Sequence, residues 1–140
     1  KLMWNIPFNG LGVAAAAGWD GLQSGTLAED LGSPWPTDQL LAEPRWEGEV
    51  RALMQEIIEA AAAQEIILPP GLADRMVTNT RAMGAYRAST VIDLELGRPM
   101  ELESMFFEPL RRAQAAGAAV PRLEALCVVL DKLASYLPRA

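Results

Sequence analysis

Apolar residues recur along most of the chain with the period of an α-helix. The clearest stretch runs from Glu47 to Gln64, where apolar residues recur at intervals of three and four. The predicted apolar face consists of Val50, Leu53, Met54, Ile57, Ile58 and Ala61. The residues expected away from that face are Arg51, Gln55, Glu56 and Glu59. The pair Pro69-Pro70 follows, and proline cannot continue a helix because it lacks the backbone N–H donor.

Four further segments have the same helical character. The second helix is expected from Leu72 to Gly84, and the third from Ala85 to Leu96. Pro99 stands near the start of a fourth helix, which should end around Gly117, because glycine is common just beyond a helix C-terminus. Pro121 opens the last helix, in which leucines and valines again recur at helical spacing.

The fold class follows from the helical patterns and from the absence of strand-like patterns in the sequence. No segment combines strand-like alternation with β-branched residues, and the two runs of four alanines favour closely packed helices. Residues 23–36 are rich in Gly, Ser, Thr and Pro and are expected to form a long loop in which Trp35 is packed or at an interface. The sequence therefore predicts one all-α, bundle-like domain of six to seven helices, spanning residues 1–140.

Composition and charge argue against several classes of binding partner. The 140 residues are 51% hydrophobic, which is enough for one domain with a buried core. Twelve basic and eighteen acidic residues give a net charge of −6, and no basic cluster exceeds Arg111-Arg112. Nucleic acid and membrane surfaces are therefore not expected as partners. Because the first residue is Lys1 and not methionine, we expect a processed chain or a piece of a longer one.

The inventory of reactive residues excludes several kinds of site. Histidine is absent, which removes Ser-His-Asp and Cys-His catalysis and the usual zinc sites, so no metal is expected. Cys127 lies in an apolar run and is expected to be a buried thiol. Residues 10–15 match G-x-G-x-x-A, with Asp30 twenty residues after Gly10, but a dinucleotide fingerprint needs a preceding strand. These glycines are expected to permit close helix packing instead.

Two groups of polar residues have the spacing of a candidate binding or catalytic site. Lys1, Asn5 and Asn9 are four residues apart and would form one stripe on a helix, while Pro7 should kink that helix and free a backbone carbonyl. Ser89 and Asp93 are one helical turn apart, and a Gly-Arg turn leads from them to Glu101. On spacing alone, each group also fits a solvated or locally hydrogen-bonded helix face.

Taken together, the two groups resemble the C-terminal domain of ketopantoate reductase (2-dehydropantoate 2-reductase). Residues 1–9 are similar to the Lys-x-x-x-Asn-x-x-x-Asn pattern of its opening helix. Residues 89–101 are similar to its second signature, a serine, an aspartate four residues later and a Gly-Arg-x-x-Glu turn. The resemblance covers nearly the whole chain. It implies the helical fold of that domain, which is related to the helical domains of the 6-phosphogluconate dehydrogenase type.

The resemblance also implies an activity and roles for residues. The reaction is the NADPH-dependent reduction of 2-dehydropantoate, or a related 2-oxo acid, to the 2-hydroxy acid, on the cytoplasmic route to pantothenate and coenzyme A. Lys1 is implied as the catalytic cation, and Asn5, Asn9 and Ser89 as substrate-binding residues. Glu101 is implied to contact the cofactor and to support the lysine, whereas the aspartate of the second signature is expected to be structural.

This chain departs from the family pattern in several places. The family's dinucleotide-binding (Rossmann) domain, which binds most of the NADPH, lies before Lys1 and is absent here, so residues 1–140 alone are expected to be inactive. The segment Gly18-Trp19-Asp20-Gly21 stands where the family has a further substrate-contacting asparagine, and Gln64-Glu65 replaces a usual glycine. The apolar surface that the absent domain would cover is expected to promote self-association as a homodimer.

Two alternatives to a ketopantoate reductase stay open at the level of the sequence. One is a non-catalytic helical module for interaction or dimerisation that keeps the same fold. The other is a different β-hydroxyacid dehydrogenase, a class that also pairs a helical domain with a catalytic lysine.

Overall fold

The chain is helical, without strands, over residues 2–135, which are the residues that the computed structural model describes. This part of the chain contains seven helices when turns that follow one another without a break are counted as one helix. The all-α class and the number of helices expected from the sequence are therefore confirmed.

The first helical run changes its winding several times along residues 2–24. It begins with α1 (Leu2–Asn5), continues through a π-helical turn (Ile6–Gly10) into α2 (Leu11–Ala14), and passes through a 3₁₀ turn (Ala15–Ala17) into α3 (Gly18–Ser24). Side chains of the first turns fill the middle of the core, and the fully buried ones include Ile6, Phe8, Leu11 and Val13.

The remaining helices follow the predicted order with shifted ends, except that a short helix over residues 37–42 was not among those predicted. Their bounds are α4 (Thr37–Ala42), α5 (Pro44–Ala63), α6 (Leu72–Ala82), α7 (Ser89–Glu95), a second π-helical turn (Glu103–Phe107), α8 (Glu108–Ala115) and α9 (Pro121–Ala134). Helix α5 begins earlier than expected because Pro44 occupies its first turn, where proline's fixed φ suits a helix. The third helix begins at Ser89 and not at Ala85, because Ala88 has an extended backbone conformation.

Gly10 and Gly12 allow the first helical run to approach its neighbours closely. A Cβ at Gly10 would lie 2.6 Å from the Leu126 side chain, and one at Gly12 would lie 2.6 Å from that of Val91. Only glycine fits at such contacts without a shift of its surroundings. Both residues lie in helical turns, so the G-x-G pattern serves close helix packing, as expected, and forms no phosphate-binding loop.

The long loop between α3 and α4 is held against the core by tryptophan. The Trp35 backbone N–H donates to the Gly12 carbonyl at 2.9 Å. The centroid of the Trp35 ring lies 5.4 Å from that of the Trp46 ring. Trp19 contacts Trp46 from α3 at the same centroid distance. The expectation of a packed Trp35 is therefore met by an aromatic cluster that joins the loop to α5.

Cys127 lies in the core, as its apolar surroundings in the sequence indicated. Its side chain is buried, and burial raises the pKa of the thiol to about 12. The thiol therefore stays protonated at neutral pH and packs as a small apolar group. Among the helices of residues 2–135, none combines the length and the apolar character needed to cross a membrane.

We expect Glu65→Gly to raise the free energy of unfolding by about 0.5–1 kcal/mol. Glu65 follows α5 with a φ of 65°, and no other non-glycine residue between positions 2 and 135 has a positive φ. Glycine adopts this conformation without a Cβ clash. Urea unfolding measures the change, with Glu59→Gly inside α5 as the control, expected to lose about 1 kcal/mol. Equal destabilisation by both variants would contradict the strain at Glu65.

Candidate functional site

A π-helical turn shapes the backbone of the candidate site. Pro7 has no N–H to give to the Met3 carbonyl, and its ring crowds that carbonyl in a regular α-helix. The sequence predicted a kink here, and the observed change is the wider π-helical turn over Ile6–Gly10. Asn5 ends the α-helical turn before it and Asn9 lies within it. Single π-helical turns of this kind occur frequently at functional sites.

Asn9 connects two parts of the sequence through its side-chain amide. Its Oδ1 accepts a hydrogen bond from the Thr90 backbone N–H at 2.8 Å and another from the Ser89 hydroxyl at 3.3 Å. Its Nδ2 donates to Asn5 Oδ1 at 3.3 Å. A backbone N–H can only donate, so Thr90 fixes which way the Asn9 amide points. We call the hydrogen-bonded side chains of Asn5, Asn9 and Ser89 the polar chain.

The polar chain leads from the interior to the surface. Asn9 is 1% exposed, Asn5 is half-buried and Ser89 is exposed. Thr90 lies in the first turn of α7, whose first N–H groups have no partner within the helix, and Asn9 supplies one from a distant part of the chain. Asn9 is thereby fixed in place, while the amide of Asn5 and the hydroxyl of Ser89 remain within reach of a ligand.

An aromatic group adjoins the polar chain and was not anticipated from the sequence. The Trp4 indole N–H donates to Thr80 Oγ1 at 3.0 Å, and the Trp4 ring lies 5.1 Å from that of Phe8. Tyr86 meets Trp4 edge-on, with 5.8 Å between centroids. Trp4 precedes Asn5 in the chain, and Tyr86 comes three residues before Ser89. The four-residue spacing of Trp4 and Phe8, which matches that of the asparagines, was the signal in the sequence.

The other residues singled out from the sequence lie apart from the polar chain or outside the described residues. Lys1 lies outside residues 2–135. Glu101 is exposed, just before the second π-helical turn. Asp93 holds the turn after α7: its Oδ1 lies 3.7 Å from Arg98 Nε, and its backbone carbonyl accepts the Arg98 N–H at 2.8 Å. The geometry of Asp93 therefore suits the structural role expected for it.

Two depressions of the surface lie away from the polar chain. A groove of about 510 Å³ runs beside α1 and α5 and is lined mainly by apolar side chains, including Leu2, Ile6 and Ile66. A second depression of about 570 Å³ contains Trp19 and Asp20, with the Arg45 guanidinium 5.2 Å from the Trp19 ring centroid. Neither is lined by the asparagines or the serine of the polar chain.

The fold and the polar chain define an all-α domain that presents amide and hydroxyl groups at its surface. Residues 31–134 match the family described as ketopantoate reductase PanE/ApbA C terminal. A 2-dehydropantoate 2-reductase of Nostoc sp. is 32% identical over 126 residues, which are 90% of this chain and 34% of that protein. The chain therefore belongs to the ketopantoate reductase family and corresponds to its C-terminal domain.

Solved structures show the same relationship. The 2-dehydropantoate 2-reductase of Geobacter metallireducens is 36% identical, with a TM-score of 0.77, over 94% of this chain and 38% of that one. The enzyme of the same name from Methylococcus capsulatus is 29% identical, with a TM-score of 0.78, over 99% of this chain and 42% of that one. The chain thus spans between a third and somewhat over two fifths of the length of these relatives.

Proposed function

We propose that this chain is the substrate-binding C-terminal part of a cytoplasmic, NADPH-dependent 2-dehydropantoate 2-reductase. The longer protein would reduce the ketone of 2-dehydropantoate, or of a related 2-oxo acid, to the 2-hydroxy acid on the route to pantothenate and coenzyme A. One observation carries the proposal: the polar chain joins Asn5 and Asn9 to Ser89, which is 80 residues beyond Asn9. Side chains of the two separate motifs thus meet in one place.

The polar chain provides neutral groups suited to an anionic substrate. In this structure the exposed Ser89 hydroxyl donates to Asn9 Oδ1; in the proposed site it turns to donate its one proton to the substrate carboxylate. Asn5 and Asn9 hold the substrate hydroxyl and orient the lysine; Asn9, which is 1% exposed, does so chiefly by fixing the side chain of Asn5. Amides and hydroxyls add no negative charge, which matters in a protein of net charge −6 that binds a carboxylate.

Lys1 has the catalytic role in this proposal. Reduction of a ketone leaves negative charge on its oxygen, and an ammonium group at hydrogen-bonding distance stabilises that charge and supplies the proton. Lys1 stands four residues before Asn5, so the order of residues matches that of the family's opening helix.

Bound NADPH would supply the hydride, and the residues of this chain fit a minor share in binding it. The exposed Glu101 carboxylate is suited to accept hydrogen bonds from ribose hydroxyls. The only G-x-G-x-x-A segment is helical and packed on Leu126 and Val91, so it offers no phosphate cradle. Both observations agree with a cofactor held mainly by a dinucleotide-binding domain that precedes Lys1.

The proposal is tested by measuring cofactor oxidation by the longer protein with a panel of 2-oxo acids. We expect turnover of 2-dehydropantoate with NADPH, at a higher kcat/KM than with NADH, and none by residues 1–140 alone. Robust NADPH oxidation by residues 1–140 would contradict the division of roles between the domains. If the longer protein reduces no 2-oxo acid, the non-catalytic module is the better description; if it oxidises only a 3-hydroxy acid, another β-hydroxyacid dehydrogenase is. The homodimer stays a prediction.

A further inference from the structure

We infer that Thr80 is a positioning residue for the proposed reduction. Its buried hydroxyl sets the orientation of Trp4, and through Trp4 that of Asn5 in the proposed site. The inference rests on the proposed function and adds to it a residue of α6 that belongs to neither of the two polar groups in the sequence. Because Thr80 is 1% exposed, it acts through Trp4 and not by contact with the substrate.

The hydroxyl of Thr80 makes two hydrogen bonds with fixed directions. It donates to the Met76 carbonyl, one turn earlier in α6, at 2.6 Å, and it accepts the Trp4 indole N–H at 3.0 Å. An indole N–H can only donate and a carbonyl can only accept, so only one placement of the hydroxyl proton satisfies both contacts. Since the hydroxyl is also shielded from water, it offers the indole a strong acceptor at one defined point.

Helix α1 depends on this contact because it is a single turn. It has four residues and passes directly into the π-helical turn, and so short a helix has little stability of its own. Within residues 2–135, the bond from Trp4 to Thr80 is the only side-chain hydrogen bond between α1 and a helix outside the first run. Met3 is buried, but apolar packing is not directional. The rotation of α1 about its axis is therefore set by Thr80.

The orientation of Trp4 determines that of Asn5. The two residues are consecutive in α1, where side chains are spaced by about 100° around the helix axis, so a rotation that turns the indole also turns the amide. The other restraint on Asn5 is the bond from Asn9 Nδ2, and its 3.3 Å is longer than an ordinary N–H···O bond. That bond alone restrains Asn5 weakly, which makes the anchor at Thr80 necessary.

The first test compares Thr80→Val with Thr80→Ser in the longer protein, using NADPH and 2-dehydropantoate. Valine has the shape of threonine without the hydroxyl, whereas serine keeps the hydroxyl. We expect Thr80→Val to lower kcat about tenfold and to change KM less than about threefold, because a small displacement of the groups around the reacting atoms mainly slows the chemical step. Thr80→Ser should keep kcat within about twofold. Thr78→Val, the same substitution on the exposed side of α6, is the control and should change neither constant.

A double-mutant cycle with Trp4→Phe shows whether the effect passes through the hydrogen bond. Phenylalanine keeps an aromatic ring against Phe8 and Tyr86 but has no N–H to donate. Trp4→Phe should lower kcat to a similar extent as Thr80→Val. The variant with both substitutions should lose no more than about twofold beyond either single variant, because one bond cannot be removed twice.

Four outcomes would overturn the inference. An unchanged kcat in Thr80→Val does so and leaves the proposed function standing. An equal loss in Thr80→Ser does so because it assigns the effect to packing, and losses that multiply in the double variant do so because the two residues then act independently. If Thr80→Val does not fold by circular dichroism, Trp4→Phe is judged by the same criterion. Failure of the wild-type protein to reduce any 2-oxo acid overturns the proposed function and this inference with it.

Discussion

Replacing Lys1 with alanine in the longer protein is expected to lower kcat by about 10³- to 10⁴-fold with the fold intact. Without the ammonium group, the developing oxyanion loses both its stabilising charge and its proton donor, and each contribution is typically worth two or more orders of magnitude. Because the charge develops in the transition state, the loss should appear in kcat more than in KM. Steady-state NADPH oxidation with 2-dehydropantoate measures it.

The other lysine of the chain, Lys132, provides a matched control for this prediction. Lys132 is exposed in α9 and its ammonium donates to the Gly25 carbonyl, so Lys132→Ala should leave kcat within about twofold. Lys1→Arg should recover only part of the rate, because arginine keeps the positive charge but is a poor proton donor. A loss of less than about tenfold in Lys1→Ala would contradict the catalytic role proposed for Lys1.

Hydrophobic periodicity predicted the helices well where one face of the helix is apolar. Helices α5, α6 and α9 were predicted within a few residues of their observed bounds. A helix that buries one face has apolar residues at intervals of three and four, and this spacing is visible in the sequence. The predicted start of α7, at Ala85, was wrong, because the helix begins at Ser89. Residues 85–88 have helix-compatible composition but are held out of the helix by contacts of Gly84 and Tyr86 with Thr37, which is distant in sequence.

The candidate site was predictable within one helix and not between helices. Four-residue spacing put Asn5 and Asn9 on one stripe, and the structure joins their amides. The bond from Thr90 N–H to Asn9 depends on how the first helical run packs against α7, which spacing cannot give. Only the resemblance linked the asparagines to Ser89, and the aromatic contact of Tyr86 with Trp4 was missed because it too depends on tertiary packing.

Glu56 is the residue of α5 whose position differs most from that expected. The periodicity placed it away from the apolar face, but it is 7% exposed. Its Oε2 accepts the Arg122 backbone N–H at 2.9 Å and its Oε1 accepts that of Leu123 at 3.0 Å. Both N–H groups lie in the first turn of α9, after Val120, whose side chain has no oxygen to cap the helix. A carboxylate from α5 thus caps α9, and its negative charge is favourable at the positive end of the helix dipole.

We therefore expect Glu56→Ala to lower the free energy of unfolding by about 3–4 kcal/mol, a large part of the stability of an ordinary domain. The variant leaves two N–H groups without their charged acceptor. Glu56→Gln should lose about half as much, because the amide has one oxygen for two N–H donors. Urea unfolding followed by far-UV circular dichroism measures both. Glu59→Ala, on the exposed side of α5, is the control and should change stability by less than about 0.5 kcal/mol. A similar small change for Glu56→Ala would show that water replaces the carboxylate, and that α9 does not depend on this contact.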